Sequence, residues 1–206
     1  PADRAKKACE IVEKLGGSPV LAPTIDLKPV NTDSLKDLVK NKDSLDWIVF
    51  TSPTTIDSFN LFYPNFFNDL NCKVAVIGNK TGSLLEKQGI TPDLMPDDFT
   101  AEGLVGEFTK LNITNKIIGI PRTASARDTL PKGLEKLGNE VIIAEAYRSL
   151  FPMNDESVKE LISKIEMREI DAITFTSPLT VHNFFKISEN REKLADLLSK
   201  KLLTVA

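Results

Sequence analysis

Short apolar runs alternate along this chain with stretches whose apolar residues recur every three or four positions. DWIVF at Asp46–Phe50, KVAVI at Lys73–Ile77, KIIGI at Lys116–Ile120, EVIIA at Glu140–Ala144 and DAITF at Asp171–Phe175 are such runs, and Leu202–Ala206 begins another. Runs of that kind predict strands buried on both faces. Between them the spacing turns helical. Ala5, Ala8, Ile11, Val12 and Leu15 share one helical face, so Ala5–Leu15 is predicted as a helix that stops at Gly16-Gly17. Ser83–Gln88 and Thr129–Leu137 are predicted helical, the second closed by Gly138, and the mixed charge of Met153–Glu169 predicts a surface helix. Pro19–Leu27, with Pro19 and Pro23, is predicted extended. Strands alternating with helices imply an α/β fold with a parallel sheet covered on both sides. No strand precedes the first helix and no helix follows the last strand, so this plan expects further segments before Pro1 and beyond Ala206.

One string occurs twice. Phe50-Thr51-Ser52-Pro53-x-Thr55-Ile56-x-x-Phe59 returns as Phe175-Thr176-Ser177-Pro178-x-Thr180-Val181-x-x-Phe184. Each copy follows an acidic residue and an apolar strand, and each runs into a helix. The spacing far exceeds that of a stacked-repeat protein and implies two copies of one α/β domain.

The strand ends carry the candidate chemistry. Ser52 and Ser177 stand where a helix cap is expected, each followed by a proline preset for the first helical turn. A helix start presents unpaired N–H groups and partial positive charge, which suits an anion. The plainer alternative is that Ser-Pro is only a good helix start; its repetition favours a shared ligand-facing design. Gly78-Asn79-Lys80-Thr81 forms a second strand-to-helix loop, with Gly78 permitting close backbone approach and Thr81 supplying a hydroxyl. It lacks the glycine-lysine-serine pattern of a nucleotide phosphate loop. In a third loop, Arg122 and Arg127 flank small hydroxylated residues, an arrangement suited to carboxylate or phosphate, or simply to solvent. Tyr147 follows the Glu140–Ala144 strand; its phenol is either a proton or hydrogen-bond donor or a packing group. His182, the sole histidine, is expected on the solvent face of a helix.

Composition narrows the classes. A net charge of −3 argues against a general nucleic-acid surface. No apolar run approaches the ~18 residues of a membrane helix, and no signal peptide is legible. One histidine excludes metal sites built on two or three. Cys9 and Cys72, with no CxxC, argue against a zinc site or redox dithiol and read as buried or neutral thiols of a reducing cytosol, a single disulfide being the alternative.

Taken in order, these strings resemble the uroporphyrinogen-III synthase family. Pro1, the first helix and Gly16-Gly17 match its opening arginine-proline, helix and double-glycine turn, with the preceding strand absent. Pro19–Ile25 fits its proline-to-isoleucine segment. The paired Phe-Thr-Ser-Pro strings, Gly78–Thr81 and Glu145-Ala146-Tyr147-Arg148 match its strand ends, glycine-to-threonine turn and tyrosine-bearing strand. The resemblance implies two flavodoxin-like parallel-sheet domains joined by a two-stranded linker, with a cleft between them. Residues 1–26 with 150–206 would form one domain and 30–145 the other, with 21–27 and 144–151 as linker strands.

It also implies an activity: closure of hydroxymethylbilane, a linear tetrapyrrole with eight carboxylates, to uroporphyrinogen III with inversion of ring D and loss of water. No cofactor or metal is implied. Tyr147 and Thr81 take the catalytic positions. Thr51, Ser52, Gly78, Asn79, Lys80, Arg122, Arg127, Thr176 and Ser177 take substrate-binding ones. Main-chain donors at helix starts explain how an acidic protein holds a polyanion. The expected partners are the small-molecule substrate and a hand-over from hydroxymethylbilane synthase, without nucleic acid or membrane. The expected setting is the cytoplasm, or the plastid stroma of a photosynthetic eukaryote, as a monomer. A non-enzymatic two-lobed anion-binding regulator is the alternative. A flavodoxin-like nucleotide enzyme lacks its glycine-rich loop.

Overall fold

In a computed structural model, the protein is described at residues 2–188, 190–201 and 203–205, with side chains described from residue 5 to residue 199 apart from Glu189. Pro1, Leu202 and Ala206, each used in the sequence reading, lie outside the described residues. In chain order the elements are α1 (Ala2–Lys14), β1 (Asp26–Pro29), α2 (Asp33–Lys40), β2 (Trp47–Phe50), α3 (Pro53–Phe62), β3 (Lys73–Val76), α4 (Asn79–Glu86) and α5 (Ala101–Lys110). There follow β4 (Ile117–Arg122), α6 (Thr129–Lys136), β5 (Glu140–Glu145), β6 (Tyr147–Leu150), α7 (Glu156–Glu166), β7 (Ala172–Thr174), α8 (Pro178–Ile187), α9 (Arg191–Lys201) and β8 (Leu203–Val205). The chain groups into two compact units, Lys28–Arg148 and the pair of segments Pro1–Leu27 and Ser149–Ala206.

The Lys28–Arg148 unit is built on a parallel sheet of order β3-β2-β4-β5. Strand alternation sends neighbouring residues of β2 to opposite faces. Trp47 and Val49 join Leu104 and Phe108 of α5 and Leu130 and Leu134 of α6. Phe50 instead meets Phe59 of α3 and Phe67. All four residues of β2 are buried, which is why its sequence has no polar alternation. At the other end of the sheet, Asp46 joins strands rather than binding anything. Its Oδ2 accepts from the Ile117 N–H at 2.9 Å and its Oδ1 from Lys116 Nζ at 3.0 Å. The Ile117 N–H and then Lys116 hold this carboxyl below the usual range. Gly138, at φ +84°, closes α6 in the left-handed conformation that glycine adopts without a side-chain clash.

In the other unit, β7 and β8 pair in parallel. Val158, Leu161 and Ile165 of α7 pack with Ile173, Phe184, Leu194 and Leu198. The surface helix expected over Met153–Glu169 is therefore shorter and has a buried face. Thr24 Oγ1 donates to the Thr180 carbonyl at 3.2 Å, and Asn183 Nδ2 to the Thr24 carbonyl at 2.8 Å, fixing the irregular segment before β1. The apolar face read from α1 is not covered: Ile11, Val12 and Leu15 are all exposed.

Several boundaries differ from expectation. The strand expected within 21–27 is β1 at 26–29, since residues 17–25 make no ladder. The strand expected over 144–151 is two strands: Ala144 and Glu145 end β5 in register with Pro121 and Arg122, and β6 begins at Tyr147, paired with β1. α4 starts at Asn79 rather than Ser83. Gly82 lies inside the helix, where a side chain would approach Val76 and Pro92 at 3.8 Å.

Candidate functional site

The carboxyl edge of the β3-β2-β4-β5 sheet gathers most of the residues singled out above. The chain runs from β2 outward to β3 and then returns to β4 on the opposite side of β2, so the strand order reverses beside β2. In open parallel sheets such a reversal, at the carboxyl ends, is where ligands bind. Thr51 and Ser52 follow β2, Gly78 follows β3, Arg122 ends β4, and Tyr147 lies two residues past β5. Thr55 Oγ1 donates to the Pro121 carbonyl at 3.3 Å, tying the start of α3 to the end of β4.

Ser52 caps α3 by accepting the Thr54 N–H at 3.3 Å and is buried. Ser177 caps α8 in a capping box with Thr180 and is half-buried, with Thr176 exposed, at the end of β7 in the other unit. The repeated string thus specifies the same cap twice. Its Phe59 and Phe184 are core residues.

Gly78 opens α4 without a side-chain cap. Among the described residues none accepts from the Asn79 or Lys80 N–H, and both residues are exposed. Thr81 is not in a loop, as expected from sequence, but in the first turn of α4, and is buried. Tyr147 is buried too. Among the described residues, none hydrogen-bonds either hydroxyl. The Tyr147 strand is held from several sides. The Ala146 N–H donates to the Arg122 carbonyl at 2.9 Å, the Val30 N–H to the Ala146 carbonyl at 3.0 Å, and Thr32 Oγ1 to the Glu145 carbonyl at 2.7 Å. Arg148 grips Glu145 with two bonds of 3.0 and 2.8 Å and holds that carboxyl below its ordinary range.

The arginine loop corrects the sequence reading. Arg122 is a strand residue, 6% exposed, and its guanidinium is already engaged. It donates to the Arg127 carbonyl at 2.7 Å and to Asp128 Oδ1 at 2.8 Å, while Nε is buried with no partner. Arg122 binds the carboxylate of its own loop. Arg122 and then Lys132 hold the Asp128 carboxyl below its usual range. Arg127, by contrast, is exposed. Asp128 escaped the sequence reading, although an acid six residues after an arginine in one short loop was a legible partner.

His182 is exposed on α8, as expected. Both cysteines are free thiols and half-buried rather than fully buried. Burial pushes the Cys72 thiol up to about 11, so it is neutral, and it precedes β3 at the opposite end of the sheet from the candidate site. Among the described residues no group of three His, Cys, Asp or Glu side chains could hold a metal ion, and no helix is long and apolar enough to cross a membrane.

Residues 6–205 match the family model described as uroporphyrinogen-III synthase HemD. A relative from Methanothermobacter thermautotrophicus, provisionally named for that activity, is 43% identical over 94% of this chain and 77% of its own. The uroporphyrinogen-III synthase of Chlorobaculum parvum is 27% identical over 93% of this chain and 78% of its own. Among solved structures, a uroporphyrinogen III synthase mutant from Thermus thermophilus shares the fold with a TM-score of 0.64 at 20% identity, over 98% of this chain and 80% of that one. The enzyme from Helicobacter pylori does so at 0.59 and 13% identity, over 88% and 83%.

Proposed function

Because the chain belongs to the uroporphyrinogen-III synthase family, a family of lyases in tetrapyrrole biosynthesis, we propose that it cyclises hydroxymethylbilane to uroporphyrinogen III. The observation that carries this reading is the family match across residues 6–205. The carboxyl-edge site supports it. Hydroxymethylbilane offers many carboxylates, and the edge offers the open start of α4 with its Asn79 and Lys80 N–H groups and the exposed side chains of Lys80 and Arg127.

The reaction asks mainly for positioning. The terminal pyrrole nitrogen pushes electrons toward the hydroxymethyl carbon, whose C–O bond breaks. The departing hydroxide takes a proton and leaves as water. The substituted carbon of ring D attacks the resulting cation and forms a C–C bond, giving a spiro centre. The older C–C bond at that centre then breaks, and the freed carbon joins ring D at its open position, inverting the ring. A final proton loss restores the pyrrole. In this reading Tyr147 is the donor that meets the departing hydroxide, and Thr81, in the first turn of α4, is a second donor. Both Tyr147 and the carboxylate grip come from elements of the Lys28–Arg148 unit.

Turnover of freshly made hydroxymethylbilane by the protein and by its Tyr147→Phe variant tests the reading. One hydrogen bond to a leaving group is worth about 1–1.5 kcal/mol, so the variant is expected to lose about tenfold in kcat. Circular dichroism is expected to be unchanged, since the ring stays. An unchanged rate would free Tyr147 of any chemical role.

A further inference from the structure

Phe99 stands where an apolar residue ordinarily turns inward. It precedes Thr100, the N-cap of α5, and a hydrophobic residue there usually packs on the fourth residue of the helix, here Leu104. Leu104 is sealed in the core, yet Phe99 is 48% exposed. The backbone explains the difference. Phe99 has φ +52°, a left-handed conformation that a bulky side chain keeps only where its surroundings impose it.

The surroundings form a clasp. Asp98 accepts from the Thr100 N–H at 3.2 Å and from Thr100 Oγ1 at 2.9 Å, and Thr100 Oγ1 in turn accepts from the Gly103 N–H at 2.9 Å. A Cβ on Gly103 would fall 1.8 Å from Asp98 Oδ1, so a side chain there would displace the carboxylate from this position. Both neighbours of Phe99 are thereby fixed and its ring is set toward solvent. The place it occupies is specific. A Cβ on Gly78 would meet Phe99 Cβ at 3.8 Å, so Phe99 stands over the glycine that opens α4, beside exposed Asn79 and Lys80.

We propose that the Phe99 ring is a stacking platform for one pyrrole ring of the linear tetrapyrrole, with that ring's carboxylate arms received at the start of α4. This rests on the functional reading above. A pyrrole presents a flat aromatic face and carries its acidic arms at the rim. Phe99 supplies an apolar aromatic face, and α4 supplies N–H groups next to it. Gly78 keeps the space between them free of a side chain. Aromatic stacking is favoured between such faces when they are offset.

Steady-state formation of the type III product by wild type, Phe99→Ala, Phe99→Tyr and Phe99→Gly tests the assignment. Loss of a stacking platform that holds substrate and transition state alike raises KM with kcat nearly unchanged. Phe99→Ala is therefore expected to raise KM roughly tenfold, as for a stacked nucleobase, and Phe99→Tyr to restore the wild-type value. Phe99→Gly is expected to raise KM as alanine does while melting at or above the wild-type temperature, because glycine adopts this φ freely. A wild-type KM for the alanine variant of an active protein overturns the assignment alone. So does loss of the fold in either small variant, which would make Phe99 a packing residue. A wild-type protein that makes no type III product overturns the functional reading, and this assignment with it.

Discussion

Replacing Phe59 by alanine is expected to remove about 3–5 kcal/mol from the stability of the Lys28–Arg148 unit. Phe59 is fully buried and central to an aromatic cluster. Its ring centroid lies 4.3 Å from that of Phe66, 5.8 Å from those of Phe50 and Phe67, and 6.3 Å from that of Tyr63. Truncation removes apolar area and leaves a cavity whose walls come from β2, α3 and the 3-10 turn at Phe66–Asp69, none free to collapse inward. Since whole domains have only about 5–15 kcal/mol of net stability, the loss is a large share of the total. Thermal unfolding followed by circular dichroism should show a fall of about 10–20 °C. A shift under a few degrees would mean that the cluster is not the keystone of this face of the sheet.

Arg122→Ala is expected to strike stability and the site together. The buried guanidinium braces the loop from Thr123 to Asp128 through the Arg127 carbonyl and the Asp128 carboxylate. Its removal leaves the Arg127 carbonyl without that donor and a void at the end of β4. Together these should cost about 2 kcal/mol. The loop carrying Arg127 then loses its fixed course beside the Ala146-Tyr147 corner, which is bonded to the Arg122 carbonyl. Turnover should fall further than stability alone explains, with hydrogen exchange faster across the loop. Arg122→Lys should recover little, because a point-like ammonium cannot hold both partners of a planar guanidinium. Full activity in Arg122→Ala would show that the brace has no bearing on the site.

Much of the fold is written in local patterns. The five-residue apolar runs became β2 to β5 and β7; β2 is covered on both faces and has no polar side to reveal, whereas β7 buries only Ile173, between exposed Ala172 and Thr174. Ser52-Pro53 and Ser177-Pro178 became helix caps because the serine oxygen and the proline geometry act within one turn. What was not legible depends on tertiary partners. Arg122 looked like a ligand for external anions, since no local pattern announces that Asp128 folds back onto it. Thr81 looked like the end of a strand-to-helix loop because the apolar spacing marks the helix only from Ser83, four residues after α4 starts. Phe99 looked like an ordinary apolar residue. Its outward course follows from Asp98, Thr100 and Gly103 acting together on a backbone angle that an aromatic residue seldom adopts. The apolar spacing of α1 correctly gave a helix but did not reveal that its apolar face would be exposed.

The sharpest test of the account is the isomer composition of the ring formed when freshly released hydroxymethylbilane meets the purified protein with nothing else added. The account predicts the type III isomer, formed faster than the bilane closes by itself. Type I product alone, appearing at the rate of the protein-free control, would contradict it.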